Sequence, residues 1–357
     1  MFAPVKNHKV LNLLGILGIW FSFIITVTFN GLAGSGCKFT FEKYGKIIWH
    51  FKTLLFLFAA SDIFNSNVGN LSRKYELSIT PAGYTFSIWS IIYIWNAAAF
   101  VFCKFSMVFV KGDFKKYFKM YFFISDLFSI FSSSAMGKLY LNPVVISPWY
   151  SFFFISNLWY NTAWIFTWDR EELVGSSILL FLIAQTNIVS LALLAKNIAQ
   201  DGHQMREEKP KIYWTYVVLS MNGQGIYATW TIIASLLNFC HCLVYVAKVD
   251  MEVACNICSG ILLGVMIIYF LLENTVLDNY VRLLMTPYLV VIWAATGIIV
   301  EKDGEKDVAQ SNKRMTKAIL GIASVFMTLR ILIVVLRQLK RPLGRSGISQ
   351  ISDKPAS

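Results

Sequence analysis

The sequence predicts an all-α, polytopic transmembrane helix bundle with about eight membrane spans. Of its 357 residues, 56% are apolar and only 15% are charged, whereas soluble domains carry nearer a quarter charged residues. The apolar residues form long blocks, and about 20 residues in an α-helix match the roughly 30 Å hydrocarbon core of a bilayer. The period-two alternation typical of a membrane β-barrel is not evident. Because lipid offers the backbone no hydrogen-bond partners, each block is expected to be helical.

Eight apolar blocks follow one another along the chain. They are 10–33, 84–110, 149–168, 173–195, 213–247, 253–272, 280–300 and 318–336. The first block is too long for the core of a signal peptide, so we predict that it stays as a helix. The fifth block exceeds the bilayer thickness, so its helix is expected to tilt or to project beyond the membrane.

Two further segments are ambiguous. Residues 47–60 are apolar but short for a span, and they contain a histidine and a lysine, which favours an interfacial position. Residues 117–136 have the length of a span but include a lysine, an aspartate and three consecutive serines. Both lie in regions, near 41–67 and 112–138, that we interpret as insertions or as artefacts of gene prediction.

The basic residues indicate a membrane partner and a weak orientation. The net charge is +12, but the lysines and arginines lie between apolar blocks, where they meet anionic head groups rather than nucleic acid. Eight spans put both termini on one side, and the slight excess of basic residues there favours the cytoplasm. The same orientation places the glycosylation sequon Asn70-Leu71-Ser72 outside, so Asn70 is a candidate glycosylation site.

Four of the six cysteines flank one short loop. Cys240-His241-Cys242 and Cys255-x-x-Cys258 could supply soft ligands to zinc or copper. However, all four lie in or at the ends of predicted spans, where cysteine behaves as a small hydrophobe. Residues two apart on a helix also point to different sides. We therefore predict no metal site and no cofactor.

The sequence carries no evident catalytic motif. It has no phosphate-binding glycine loop, no His-Glu-x-x-His motif and no nucleophile elbow, so we predict that the protein is not an enzyme. Arg330 lies near the middle of the last predicted span and needs a partner or a water-filled cavity. Glu273, Asp278 and Arg282 flank the loop between the sixth and seventh spans, where we expect them to be solvated.

Three predicted spans each carry a stripe of aromatic and amide side chains. The stripes are Phe86, Trp89, Tyr93 and Asn96 on the second span, Asn157, Asn161 and Trp164 on the third, and Tyr227, Trp230, Ala234 and Asn238 on the fifth. At 100° per residue, the members of each stripe share one helix face. Such faces either join helices through amide hydrogen bonds or line a pocket whose rings hold a rigid apolar ligand.

These stripes resemble motifs of the TspO/MBR family, which comprises the tryptophan-rich sensory proteins and the translocator protein. The matching segments are Thr-Pro-Ala-Gly-Tyr-Thr-Phe-Ser-Ile-Trp over 80–89 with Tyr93, Asn157-x-x-x-Asn161-x-x-Trp164, and Tyr227-x-x-Trp230-x-x-x-Ala234-x-x-x-Asn238. They are similar to the second-, third- and fifth-helix motifs of that family. Tyr84 stands where the family usually has Trp, and the family's proline before Tyr227 is absent, so we expect a divergent, enlarged member.

The resemblance covers roughly residues 10–242 and implies a five-helix bundle. We accordingly divide the chain into a TspO-like core (1–247), three additional transmembrane helices (248–338) and a basic polar tail (339–357). The resemblance also implies a pocket between the core helices for porphyrins, sterols or related apolar ligands. The ligand-binding residues carried over by position are Trp89, Tyr93, Asn157, Asn161, Trp164, Tyr227, Trp230 and Asn238.

Three hypotheses for function follow. The first is a non-enzymatic, multi-pass membrane protein that binds or transports a small rigid apolar ligand, tetrapyrrole- or sterol-like, in an aromatic and amide-lined pocket. The second is an ion-coupled secondary transporter in which Arg330 takes part in coupling. The third is a helix-packing scaffold without a ligand. The expected partners are the lipid bilayer, such a small molecule and a second copy in a homodimer, with no nucleic acid.

Overall fold

A computed structural model of the chain describes residues 8–35, 64–66, 68–108, 145–340 and 343. Within these ranges all regular structure is helical, which confirms the all-α prediction. The regions interpreted as insertions, near 41–67 and 112–138, fall almost wholly outside the described residues, as does most of the tail at 339–357.

Eleven α-helices lie in the described ranges. They are α1 (His8–Ser35), α2 (Val68–Lys74), α3 (Ile88–Val108), α4 (Pro148–Asp169), α5 (Leu173–Glu208), α6 (Pro210–Thr215), α7 (Gly223–His241), α8 (Met251–Glu273), α9 (Asp278–Val281), α10 (Pro287–Lys302) and α11 (Gln310–Lys340). A 3-10 turn, Gly83–Ser87, leads into α3. The π-helical turns Tyr216–Asn222 and Cys242–Val246 flank α7, so 210–246 is one continuous helical rod.

Several helices have the length and composition of membrane spans. In the described part of the chain, five helices are long and apolar enough to cross a bilayer: Leu11–Gly34, Leu173–Gln200, Pro210–Val246, Met251–Glu273 and Gln310–Lys340. The protein is therefore an integral membrane protein with several apolar helices. The total of eight spans stays a prediction, although each of the eight apolar blocks is at least partly helical.

The seventh apolar block is broken into two helices, where the sequence predicted one over 280–300. α9 ends at Val281, and α10 begins only at Pro287. Proline suits the first position of a helix because the backbone N–H that it lacks would have no hydrogen-bond acceptor within the helix there. The intervening backbone is held by Asn222, whose Nδ2 donates to Leu283 O (2.9 Å) and whose Oδ1 accepts from Met285 N (2.8 Å). At 16 residues, α10 is about 24 Å long, which is shorter than the hydrocarbon core.

The helices pack as a bundle with α4 and α7 at its centre. α4 contacts α1 and α5, and α7 contacts α3, α5, α8 and α10. α11 packs against α8 and α10 and thus lies on the side away from α1. The helices that follow residue 247 therefore contact the rest of the bundle through α7, through α5, which α9 touches, and through the turn before α3.

A close backbone approach joins α10 to the turn before α3. Gly297 O accepts a hydrogen bond from Ala82 N (3.1 Å), and Trp293 Nε1 donates to Thr85 O (3.0 Å). A Cβ atom added at Gly297 would collide with the Thr85 side chain. Only glycine permits this contact, because any larger residue would push the two segments apart.

The charged residues around the α8–α9 turn are buried, where the sequence predicted that they would be solvated. Glu273, Asp278 and Arg282 are all less than 9% exposed, and Arg330 is fully buried. α9 and the start of α10 fold back against α8 and α11, so charges that flank a loop in the sequence become interior in the fold. The expectation that Arg330 needs a partner is met by Glu273, with Nε 3.2 Å from Oε2.

Candidate functional site

Six of the eight predicted ligand-binding residues meet at the centre of the bundle. α3 contributes Trp89 and Tyr93, α4 contributes Asn161 and Trp164, and α7 contributes Tyr227 and Trp230. We call these six side chains the aromatic–amide box. It forms because the three stripes face one another where α3, α4 and α7 come together.

The indole of Trp89 lies at the centre of the box. It stacks on Tyr93 with ring centroids 5.8 Å apart and on Trp164 at 6.0 Å. Tyr227 and Trp230 meet it edge to face, at 6.1 and 6.4 Å. These are the offset-stacked and T-shaped arrangements that the ring quadrupole favours. Each ring of the box therefore contacts Trp89.

The amide of Asn161 links the polar atoms of the box. Its Nδ2 donates to the Tyr227 hydroxyl (3.1 Å), and its Oδ1 accepts from Asn30 Nδ2 (2.8 Å) and, at a long 3.5 Å, from the Tyr93 hydroxyl. Asn30 lies on α1 and was not among the predicted residues. The signal that could have found it is an amide inside an apolar span, which needs a partner in the bundle interior.

The inner and outer walls of the box differ in burial. Asn161, Tyr227 and Trp230 are at most 1% exposed, whereas Trp89 and Tyr93 are half-buried. The indole Nε1 atoms of Trp164 and Trp230 are buried and make no hydrogen bond with any described residue. A buried polar group without a partner costs about 1–3 kcal/mol, so an acceptor supplied from outside would be favourable there.

The rings of the box touch one another in this conformation. A flat molecule sandwiched between two rings needs about 7 Å between them, since carbon atoms pack about 3.5 Å apart. The Trp89 and Trp164 centroids are 6.0 Å apart. A flat ligand therefore needs the half-buried Trp89 side chain to rotate before it can lie against the other rings.

The other two predicted residues, Asn157 and Asn238, lie outside the box and bind α5. Asn157 Nδ2 donates to Ile183 O (2.7 Å), and Asn238 Oδ1 accepts from Ser176 Oγ (2.8 Å). Asn157 lies one helical turn from Asn161 and faces a different neighbour. Asn238 lies about 16 Å along the helix from Tyr227. Both amides join helices, which is the other interpretation of such stripes.

The predicted glycosylation residue, Asn70, lies exposed on the short helix α2. Its Oδ1 accepts from Arg73 Nη2 (2.5 Å), which orients the amide. Nearby, Lys74 pairs with Glu171 in the α4–α5 turn. The hydrogen bond from this ammonium lowers the pKa of the Glu171 carboxyl. The sequon is thus on a polar surface of the protein.

Comparison with known proteins identifies one family. The family described as TSPO-like protein matches residues 47–147 and 144–336, which together exceed half of the chain. The match runs beyond residue 242, where the sequence resemblance ended, and includes the three C-terminal helices. No curated protein and no solved structure matches the chain. On the strength of this family match, which agrees with the motifs on α3, α4 and α7, the chain belongs to the TSPO-like protein family.

Proposed function

We propose that this TSPO-like membrane protein binds a small, rigid, apolar ligand of the tetrapyrrole or sterol class in the aromatic–amide box. One observation carries the proposal: four rings from α3, α4 and α7 surround Trp89, and the buried indole N–H groups of two of them, Trp164 and Trp230, have no acceptor among the described residues. Flat rings grip a rigid apolar body, and a few directed polar groups orient it. The protein would act as a receptor or a transporter, without catalysing a reaction.

The charge of the box restricts its ligands. None of its six side chains carries a charge, so a neutral acceptor such as a hydroxyl or ketone suits the buried wall at Trp164 and Trp230. A carboxylate, as on a porphyrin side chain, would be costly there without a cationic partner. It would have to stay towards the half-buried side, near Trp89 and Tyr93. We therefore expect sterol-like ligands to bind with their polar end inward.

Ligand-induced thermal stabilisation of the purified protein tests the proposal. We expect protoporphyrin or a sterol to raise the melting temperature of the wild type, because a ligand that binds only the folded state stabilises it. The triple variant Trp89→Ala, Asn161→Ala, Trp230→Ala should lose this shift. Trp159→Ala is the matched control, since Trp159 lies on α4 but is 46% exposed, and it should keep the shift.

Equal melting temperatures of the wild type and the triple variant would contradict ligand binding in the box. If wild type and triple variant melt at equal temperatures under every ligand, the box binds none of them. The third hypothesis, a helix-packing scaffold, would then account for the direct ring contacts, because the rings would serve only to hold α3, α4 and α7 together.

A second candidate function is ion-coupled secondary transport, which the buried pair of Arg330 and Glu273 favours. Ionisable groups inside a membrane protein often belong to ion or proton pathways. Against this, Arg330 also donates to Val281 O (2.9 Å) and Asn274 Oδ1 (2.9 Å), so its guanidinium is held on several sides. Substrate flux into liposomes that survives Arg330→Leu would contradict a coupling role.

We also propose that the N- and C-termini are cytoplasmic, which would place Asn70 on the opposite side of the membrane. We further propose that the protein assembles as a homodimer. Accessibility of single cysteines introduced at residues 3 and 355 to a membrane-impermeant reagent in sealed vesicles tests the orientation. Cross-linking in native membranes tests the homodimer.

A further inference from the structure

Two cysteine motifs that are separate in the sequence meet where α7 and α8 pack together. Cys240, Cys255 and Cys258 are each at most 1% exposed and belong to one apolar cluster. The Sγ atoms of Cys240 and Cys255 are 3.7 Å apart. Cys258 lies one helical turn after Cys255, in the same apolar cluster. Cys240 therefore faces Cys255 directly, with a third thiol one turn further along α8.

We propose that Cys240, Cys255 and Cys258 bind a monovalent copper ion, with Met251 as an additional sulfur donor. Thiolates that share one metal at about 2.3 Å lie roughly 3.8–4.0 Å apart, close to the 3.7 Å found between Cys240 and Cys255. The Met251 Sδ atom is 3.9 Å from Cys255 Sγ. As the side chains stand, the three Sγ atoms do not all lie within 4.8 Å of one another, so the Cys258 side chain has to turn towards the ion when it binds.

The chemistry of the donors selects the metal. Thiolate and thioether sulfur are soft ligands, and a thioether favours copper(I) over the harder divalent ions. The imidazole of His241, the residue after Cys240, faces Trp168 with ring centroids 5.3 Å apart. Each thiol that binds the ion releases its proton to solvent, so the affinity for copper(I) rises with pH. No electron transfer is involved.

A polar surface cleft lies beside Met251. It has a volume of about 460 Å³, and Asp250, Glu252 and Asp307 line it together with Lys306 and Lys313. Its three carboxylates outnumber its two ammonium groups, which leaves a small negative charge. Met251 lines the cleft and also contacts Cys255, so its thioether stands between the cleft and the buried thiols. We take this cleft, which reaches the Met251 thioether, as the entry route for the ion.

The fourth cysteine of the two motifs provides a matched control. Cys242 faces away from the cluster, and its Sγ donates to Leu173 O at 3.2 Å. It lies two residues from Cys240, on a different side of the helical rod. Its substitution leaves the thiol cluster intact and removes the same kind of atom from the same helix.

Copper(I) titration of the reduced full-length protein, in competition with a chromophoric copper(I) chelator, tests the proposal. We expect one copper per chain, a sulfur-only coordination shell by X-ray absorption, and a loss of affinity of tenfold or more in Cys240→Ser and Cys255→Ser. Cys242→Ser should bind as the wild type does. Met251→Leu, which conserves volume and is tolerated in cores, should fold normally and bind copper(I) more weakly.

Four results would overturn the proposal. One is a wild type that retains no copper against the chelator, and another is an equal loss of affinity in the Cys242 control. A third is retention of zinc in preference to copper(I). The last is a disulfide between Cys240 and Cys255 in protein isolated without reductant. Mass spectrometry would show it as a mass lower by two hydrogens and a cross-linked peptide that contains both residues. None of these outcomes depends on ligand binding in the aromatic–amide box.

Discussion

Replacing Arg330 by methionine is expected to unfold the C-terminal helices at markedly lower denaturant. Arg330 is fully buried in α11 and pairs with Glu273, which is also fully buried at the end of α8. The guanidinium further donates to Val281 O on α9 and to Asn274 Oδ1 in the turn after α8. A single side chain thus joins α11 to α8 and α9.

The expected loss in the free energy of unfolding follows from the groups that the substitution leaves without a partner. Methionine fills much of the volume but leaves the Glu273 carboxylate buried, with the Tyr288 hydroxyl at 2.6 Å as a partner. Removing one member of a buried ion pair costs about 3–5 kcal/mol, because the remaining charge is uncompensated. The double variant Arg330→Met, Glu273→Gln removes both charges, and we expect a coupling energy of roughly 1–3 kcal/mol between the two substitutions.

Reversible unfolding in mixed detergent micelles, followed by tryptophan fluorescence, measures these free energies. Arg337→Met is the control, because its side chain is 36% exposed while it pairs with Asp278 at 2.8 Å, and exposed pairs contribute about 0–1 kcal/mol. The reasoning is refuted if Arg330→Met costs no more than Arg337→Met. It is also refuted if the losses of the two single substitutions simply add in the double variant.

Three further predictions concern other parts of the chain. Gly297→Val should lower the melting temperature, because its side chain collides with Thr85, whereas Gly304→Val, which meets open space, should change it little. Burial raises the pKa of Asp278, but hydrogen bonds from two arginines outweigh it and hold this pKa below its usual value. Stability from Asp278 is therefore present above the unfolded pKa of about 3.9 and lost as the pH falls below it. The denaturant concentrations at which the wild type and the Asp278→Asn variant are half unfolded should accordingly differ at pH 7 and converge towards pH 3. Asn70→Gln should abolish any glycosidase-sensitive shift in electrophoretic mobility, and a wild type without such a shift in a glycosylating host would contradict glycosylation there.

The helical segments were predictable because the bilayer restricts the choice of structure. Hydrophobic blocks in lipid must satisfy their own backbone groups, so block length and composition suffice to predict helices. The break before α10 could also have been anticipated, since Pro287 is a signal for the first turn of a helix. The sequence does not reveal that Asn222, some 60 residues earlier, binds the backbone at this break.

Six of the eight predicted site residues lie together in the box and two lie elsewhere, for a geometric reason. Periodicity identifies residues that share a helix face, but one face can meet two neighbouring helices. Asn161 faces Tyr227 in the box, whereas Asn157, one turn away on the same stripe, faces Ile183 of α5. Nothing in the sequence of α4 distinguishes these two asparagines, because the difference lies in which helix packs beside each turn.

Resemblance to known motifs indicated the TspO-like family, and the sequence by itself determined that this is a membrane protein of apolar helices with aromatic and amide stripes on three of them. Those properties depend on composition and on the direction of each side chain about its own helix axis, which are local. The tertiary structure decided which side chains meet: Trp89 with its neighbours in the box, Glu273 with Arg330, and Cys240 with Cys255. Such pairings depend on the rotation and offset of one helix against another, and these are set by packing across the whole bundle.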